Sequence, residues 1–353
     1  MLSLDDIRRR PKVDLHRHLE GALRPATLWD FHQRQRQTRH TSFAELLRAI
    51  QVQPGEGPGF QSFLAKFDGL RFRFGDLDAL ARLAREAVAD AAADEVVHLE
   101  LRFSPVFFLR RTYGQPRPLD AVDDPRDVAA VASAIIEAAQ AEARRHGIAV
   151  AFIATLGRHL GVAVNQPTAD LLHAPVGGSV GALDLAGDEA VCAQNFAPLL
   201  QRWQAAGRVL TIHAGEDPHG RGPAAIREAL ALGATRIGHG VRAIEDAALV
   251  AELAARGTTL EICPTSNLQT GVCTDLRTHP LAALLKAGVR VTLNTDDPTF
   301  HPTTLSAEYF AALQSGLLDA DQLRACVLHA AGAALLPPGE RAVLLARLTS
   351  AWC

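Results

Sequence analysis

Near the start of the chain, the run Pro11-Lys12-Val13-Asp14-Leu15-His16-Arg17-His18-Leu19-Glu20-Gly21 sets two histidines two residues apart. In a β-strand, alternate side chains share a face. Asp14, His16, His18 and Glu20 then fall on one side, and Val13, Leu15 and Leu19 on the other. Four polar groups in a row on a buried strand need partners, because each unpaired one costs several kcal/mol. Two imidazoles so placed can converge on one metal ion. The plainer alternative is an exposed edge strand with a solvated polar face.

Residues of the same kind recur far down the chain, each where an apolar run ends. These are His213-Ala214-Gly215-Glu216, Gly238-His239-Gly240, Cys263-Pro264-Thr265-Ser266-Asn267 and Asn294-Thr295-Asp296-Asp297-Pro298. Three imidazoles (His16, His18, His213) and the Asp296 carboxylate suit a borderline metal such as zinc, with a position left for water. Such a metal lowers the pKa of its water toward neutrality and supplies a nucleophile. Glu216, three residues past His213, reaches the same cavity as a proton donor or acceptor. His239 is placed to orient or to deprotonate the water. Asp296 and Asp297 repel one another unless a cation neutralises one of them.

Taken singly, His213 reads as a satisfied core histidine, His239 as a capping or packing residue, and Asp297 before Pro298 as a helix cap. Jointly those readings require several coincidences at one rim. His98, His159, His219, His279 and His301 lack such placement and read as structural or solvent-facing.

The elements that must position these groups follow a rhythm. Strands are expected over 11–21, 96–103, 148–155, 180–186, 209–213, 236–239, 259–263 and 289–294. Helices are expected over 25–36, 77–93, 127–145, 196–206, 223–232, 247–256 and 280–287. About eight strands separated by helices predict a TIM-type (β/α)8 barrel, whose function sits at the C-terminal ends of the strands. A doubly wound open sheet is the runner-up, and no dinucleotide fingerprint follows an early strand to support it. Residues 51–75 hold Phe60, Phe63, Phe67, Phe72 and Phe74. This insertion reads as a helical hairpin packed on the barrel, as a lid over a pocket, or as both. Helices after Leu305 are expected to close and cap the barrel. Residues 1–353 read as one domain.

Composition bounds the rest. The chain has 353 residues, 48% of them hydrophobic, and a net charge of -3, which gives no footprint for nucleic acid and no polybasic patch for a membrane. No apolar run reaches the length of a membrane span, and the charged first ten residues show no signal peptide. Five scattered cysteines without a C-x-x-C pair read as reduced thiols in a cytoplasmic protein.

At these residues the chain resembles the adenosine deaminase family, specifically its bacterial members. The matching segments are LHRHLEG (15–21), ELRFSP (100–105), LDLAGDE (183–189), IHAGE (212–216), IGHGVRAIED (237–246), CPTSNLQT (263–270) and LNTDDP (293–298), in the family's order and spacing from about Pro11 to Tyr309. The resemblance implies a hydrolase with one zinc per subunit that converts adenosine, and 2′-deoxyadenosine, to the 6-oxo nucleoside and ammonia in purine salvage. It implies His16, His18, His213 and Asp296 as zinc ligands. Glu216 would protonate purine N1, and His239 and Asp296 would position the attacking water at C6. The implied substrate contacts are His18, Glu20, Gly187 through its N–H to N3, and Asp297 to N7. The implied partner is a small purine nucleoside, with no nucleic acid and no membrane.

One departure lies at the sugar end. Many members carry Asp after H-x-H-L, where this chain has Glu20. Glu there also occurs in adenine deaminases and other branches, so adenine and aminodeoxyfutalosine of menaquinone synthesis are the alternative substrates. LDLAGDE and Thr295 favour a nucleoside over free adenine. A two-metal amidohydrolase is disfavoured, because Lys12, Lys66 and Lys286 do not lie at a strand end.

Overall fold

Strands buried on both faces belong in a closed parallel sheet, and the first two strands are buried at every residue. The computed structural model describes residues 2–112 and 118–353. Its strands are β1 (Lys12–His18), β2 (Val96–Phe103), β3 (Ala149–Gly157), β4 (Val180–Ala186), β5 (Val209–Ala214), β6 (Arg236–His239), β7 (Thr259–Ile262) and β8 (Arg290–Leu293). They pair in sequence order, and every pair is parallel. The ring closes between β8 and β1. There the Asn294 side chain accepts from the Leu15 N–H at 3.0 Å, the Asp296 N–H donates to His16 O at 2.8 Å, and the His18 N–H donates to Asp296 O at 3.0 Å. This is the (β/α)8 barrel expected, not an open doubly wound sheet.

Local chemistry sets the helix ends. The helix expected at Asp127 begins earlier, at Pro125, because the Asp124 carboxylate caps it and proline suits the first turn; it ends at Gly147 in the left-handed region. The helices Leu77–Ala93 and Ala247–Arg256 have the expected bounds, each with an aspartate N-cap. Helices Pro105–Thr112 and Pro264–Thr270 were not anticipated. Both start on a proline just past a strand, so the Cys263-Pro264-Thr265-Ser266-Asn267 run turns into a helix instead of ending a strand.

The insertion is not one helical hairpin. Within 51–75 the chain forms two short helices, Phe60–Leu64 and Lys66–Gly69, after a run broken by Pro54, Gly55, Gly57, Pro58 and Gly59, and Phe43–Ile50 is a separate helix just ahead of it. Phe60, Phe63, Phe72 and Phe74 are buried, and Phe67 lies edge-on to Phe300 at 4.7 Å. The Val52 N–H donates to Phe300 O, and the Gly59 N–H to Gln269 O. The insertion is therefore docked onto the segments that follow β7 and β8, beside the rim.

At the other end, the Trp352 indole N–H donates to Pro11 O at 2.8 Å, and helix Ala320–Ala333 packs on β8 and β1. The barrel interior is not purely apolar. Glu100, Arg102, Asp184, Arg236 and Glu261 form a fully buried ionic lattice beneath the rim. Strict alternation also fails in β1. The β1 register shifts between Asp14 and Arg17, so Asp14 binds Arg17 at 2.9 Å and the Thr295 hydroxyl at 2.7 Å instead of joining His16 and His18. Among the described residues no helix is long and apolar enough to cross a membrane.

Candidate active site and metal centre

The chain turns sharply where two of the key side chains sit. His239 and Asp296 both have positive φ, 61° and 60°. A non-glycine residue there costs roughly 1–2 kcal/mol, and such strain gathers at functional sites. Backbone bonds across the β8–β1 seam hold Asp296 in place. Two glycines make the necessary space. A Cβ on Gly238 would come within 3.1 Å of both His16 and His213, and one on Gly21 would fall 1.8 Å from Asp297 Oδ1.

The expected metal ligands converge. His16 Nε2 is 3.3 Å from Asp296 Oδ1, His18 Nε2 is 3.5 Å from the same oxygen, and His18 Nε2 faces His213 Nε2 at 3.1 Å. Carboxylates below fix the ring orientations. His16 Nδ1 donates to Glu261 at 2.9 Å and His213 Nδ1 to Asp184 at 3.0 Å, so each ring turns an Nε2 lone pair to the centre. His16 Nε2 is buried without a hydrogen-bond partner and looks at another acceptor, Asp296 Oδ1. Acceptors facing acceptors in a dry site call for a cation. Burial also pushes His18 and His213 down toward the neutral form that ligates. The donor set fits a metal ion. His239 belongs to the convergence too, since ligand atoms of His16, His213, His239 and Asp296 all lie within 4.8 Å of one another.

The acid–base groups stand beside it. His239 Nε2 is 3.5 Å from Glu216 Oε2 and 3.8 Å from Asp296 Oδ2. Burial works against ionised Asp296, but His16, His239 and His18 outweigh it and hold this carboxylate well below its usual range. Glu216 and Asp297 go the other way. Burial first, then the Asp296 charge and neighbouring carboxylates, lift both well above it. A bound cation opposes that lift, while burial and the carboxylate neighbours persist.

Asp297 is not a helix cap, since its Oδ1 is buried without a partner. Glu20 accepts from the Ser104 N–H at 2.6 Å through one oxygen, the other is buried and unpartnered, and burial pushes its carboxyl up to about 7. Gly187, at φ 101°, follows directly after β4, beside Arg158 and His159.

Several supporting residues escaped the sequence reading. Glu189 accepts the Gly215 and Glu216 N–H groups at 2.8 Å each and so fixes the turn that carries Glu216. Asp184 and Glu261 aim the metal-facing imidazoles. Glu189 and Asp184 lie inside the LDLAGDE run, which was their only signal; Glu261 sits in an otherwise apolar strand. His98 and His301 are structural as expected, buried against Glu100 and Thr295 O respectively. His279 is buried as well, but it is bonded to Asn267 and through it to His239.

A parallel barrel whose rim gathers imidazoles and a carboxylate around one point, with a glutamate beside it, has the donor set to hold a metal ion and a group to move a proton next to it. Comparison with known proteins narrows the class. The model of the family described as adenosine deaminase matches residues 11–351, beyond the 11–309 span of the sequence motifs. The chain is 38% identical over 343 residues to adenosine deaminase of Erwinia tasmaniensis, covering 96% of this chain and 98% of that one. Its fold matches an amidohydrolase from Burkholderia ambifaria with bound Zn at 24% identity, TM-score 0.87 and coverage of 100% and 94%. It also matches Arabidopsis ADAL complexed with GMP at 25% identity, TM-score 0.79 and 98% of both chains. The chain belongs to the adenosine deaminase family.

Proposed function

We propose that this protein deaminates adenosine, and 2′-deoxyadenosine, hydrolytically to the 6-oxo nucleoside and ammonia with one zinc ion per subunit. The observation that carries the reading is the convergence of His16, His18, His213 and Asp296 on one buried point, with Glu216 Oε2 3.5 Å from His239 Nε2 and the Asp297 carboxyl next along the chain from Asp296. Purine N1 and N7 flank the C6 amine, and both are acceptors only. A protonated Glu216 can give its proton to N1 and make C6 electrophilic; a protonated Asp297 can donate to N7 and hold the ring. His16, His18, His213 and Asp296 would hold the metal. Bound there, zinc supplies the Lewis acidity that makes water nucleophilic at neutral pH. Asp296 and His239 then orient that water toward C6, and Gly187 offers its N–H to N3. Burial of the whole rim, with the Phe-rich insertion beside it, keeps bulk water from competing.

The bound Zn of the Burkholderia protein and the deaminase activity named for the Erwinia relative support the metal and the reaction. We read the chain as one domain acting in the cytoplasm on a small purine, without nucleic acid or membrane. Glu20, with its unpartnered oxygen, sets the sugar side and keeps adenine and aminodeoxyfutalosine as the alternative substrates. Thr295 carries no weight in that choice, because its hydroxyl is held by Asp14 and Arg17. The test is ammonia release from adenosine, 2′-deoxyadenosine, adenine and aminodeoxyfutalosine by protein of known zinc content. Adenosine should give the highest kcat/KM by a wide margin; a faster rate with another 6-aminopurine transfers the chemistry to that substrate.

A further inference from the structure

A chain of hydrogen bonds leads into the site from behind His239, and its direction is fixed at the far end. The Leu281 backbone N–H donates to His279 Nδ1 at 3.1 Å. That nitrogen is therefore an acceptor, and neutral His279 carries its proton on Nε2. His279 Nε2 lies 3.3 Å from Asn267 Oδ1, which accepts, and Asn267 Nδ2 lies 3.1 Å from His239 Nδ1. An amide nitrogen can only donate, so His239 Nδ1 must accept. Asn267 is fully buried and His279 nearly so. Burial holds His279 neutral, with its pKa pushed down to about 4.

We propose that Asn267 and His279 are positioning residues that lock His239 in the Nε2–H tautomer, so that the ring presents a donor to the reacting centre. This builds on the deaminase reading and settles the two roles left open for His239. A ring with hydrogen on Nε2 orients the attacking water through a donated hydrogen bond and cannot take its proton. It cannot ligate metal through that nitrogen either, so His18, not His239, completes the ligand set with His16, His213 and Asp296.

The direct test is the tautomer. In zinc-loaded enzyme labelled with ¹⁵N-histidine, His239 is assigned by difference from His239→Gln. Its Nδ1 should resonate as an unprotonated nitrogen and its Nε2 as a protonated one; a protonated Nδ1 overturns the proposal. Asn267→Asp is isosteric but accepts at both oxygens, so it forces a proton onto His239 Nδ1. It should lower kcat on the order of 10–100-fold, leave KM within about twofold, keep the zinc content and invert the His239 signals. Wild-type kcat in Asn267→Asp overturns the proposal. Gln at 279 places an N–H donor near the same point, so His279→Gln should retain most of the kcat that His279→Leu loses. Equal losses in that pair, following thermal stability alone, would mean mere packing. Should Asn267→Asp fail to fold, the wild-type spectrum and the His279 pair still decide. Should the wild type deaminate no purine nucleoside, the functional reading fails while the spectrum still reports on the tautomer.

Discussion

Placing one methyl group on Gly21 tests whether the Asp297 carboxyl must sit where the structure puts it. A Cβ at Gly21 would lie 1.8 Å from Asp297 Oδ1, 2.4 Å from its Cγ and 2.5 Å from its Cβ. Ordinary contact needs about 3.4 Å, so in Gly21→Ala the carboxyl has to withdraw by roughly 1.5 Å. Misplacement of about 1 Å can cost ~100-fold in rate. Losing a buried hydrogen bond to N7 is independently worth about 1–3 kcal/mol, or on the order of 10–100-fold. Gly21→Ala should therefore lower kcat/KM for adenosine by one to two orders of magnitude, approaching the loss in Asp297→Asn. The nearest atoms to such a Cβ all belong to Asp297, not to the proposed ligands His16, His18, His213 and Asp296, so zinc content measured by atomic absorption should equal that of wild type. Overpacking should also lower stability by about 1–3 kcal/mol, read in a thermal melt. Wild-type kcat/KM in a folded, zinc-replete Gly21→Ala protein would refute the assignment of Asp297 to the purine edge.

The other predictions address the metal, the acid and the sugar end. Glu216→Gln should bind zinc normally yet lose most deamination, and an active variant would end the N1 proton role. Asp184→Asn and Glu261→Gln release the imidazoles they aim, so each should weaken zinc binding about 10–100-fold in chelator competition; unchanged affinity would count against the metal centre. Chelation should abolish turnover and lower the melting temperature, and added zinc should restore both. Glu20, pushed by burial up to about 7 from an ordinary 4.5, binds more protons folded than unfolded between those values. Its burial therefore costs nothing below about pH 4.5, costs progressively more between 4.5 and about 7, and carries its full, constant cost above that. In metal-free protein, Glu20→Gln should melt higher than wild type at pH 8 and show little advantage at pH 4.5; the opposite trend would contradict the burial of that carboxyl.

Strand ends were legible because barrel chemistry leaves a visible mark in sequence: an apolar run that breaks into His or Asp at the rim, as at His213, His239 and Asp296. Helix bounds were legible where caps are explicit, as at Asp246 and Gly257, and were misplaced where Asp124 and Pro125 start a helix ahead of its apolar pattern. Asp14 was misread because period-2 alternation assumes an unbroken ladder, and the shift between Asp14 and Arg17 moves it to Thr295.

The supporting groups were illegible for a different reason. Periodicity tells which face a residue takes, not the depth at which it sits or the neighbour it meets across the barrel. Glu261 is 245 positions from His16, and Asp184 is 29 from His213, yet each sets which imidazole nitrogen looks at the centre. Asn267 and His279 meet only because Pro264 turns a strand end into a helix. The ligands themselves need only the strand order, which the sequence pattern supplies. Their tautomers need the folded sheet, because the partner of His213 comes from the neighbouring strand β4 and that of His16 from β7, reached only once the ring closes through β8. The chemistry of the rim is thus written in local motifs, while its protonation is written in the tertiary fold.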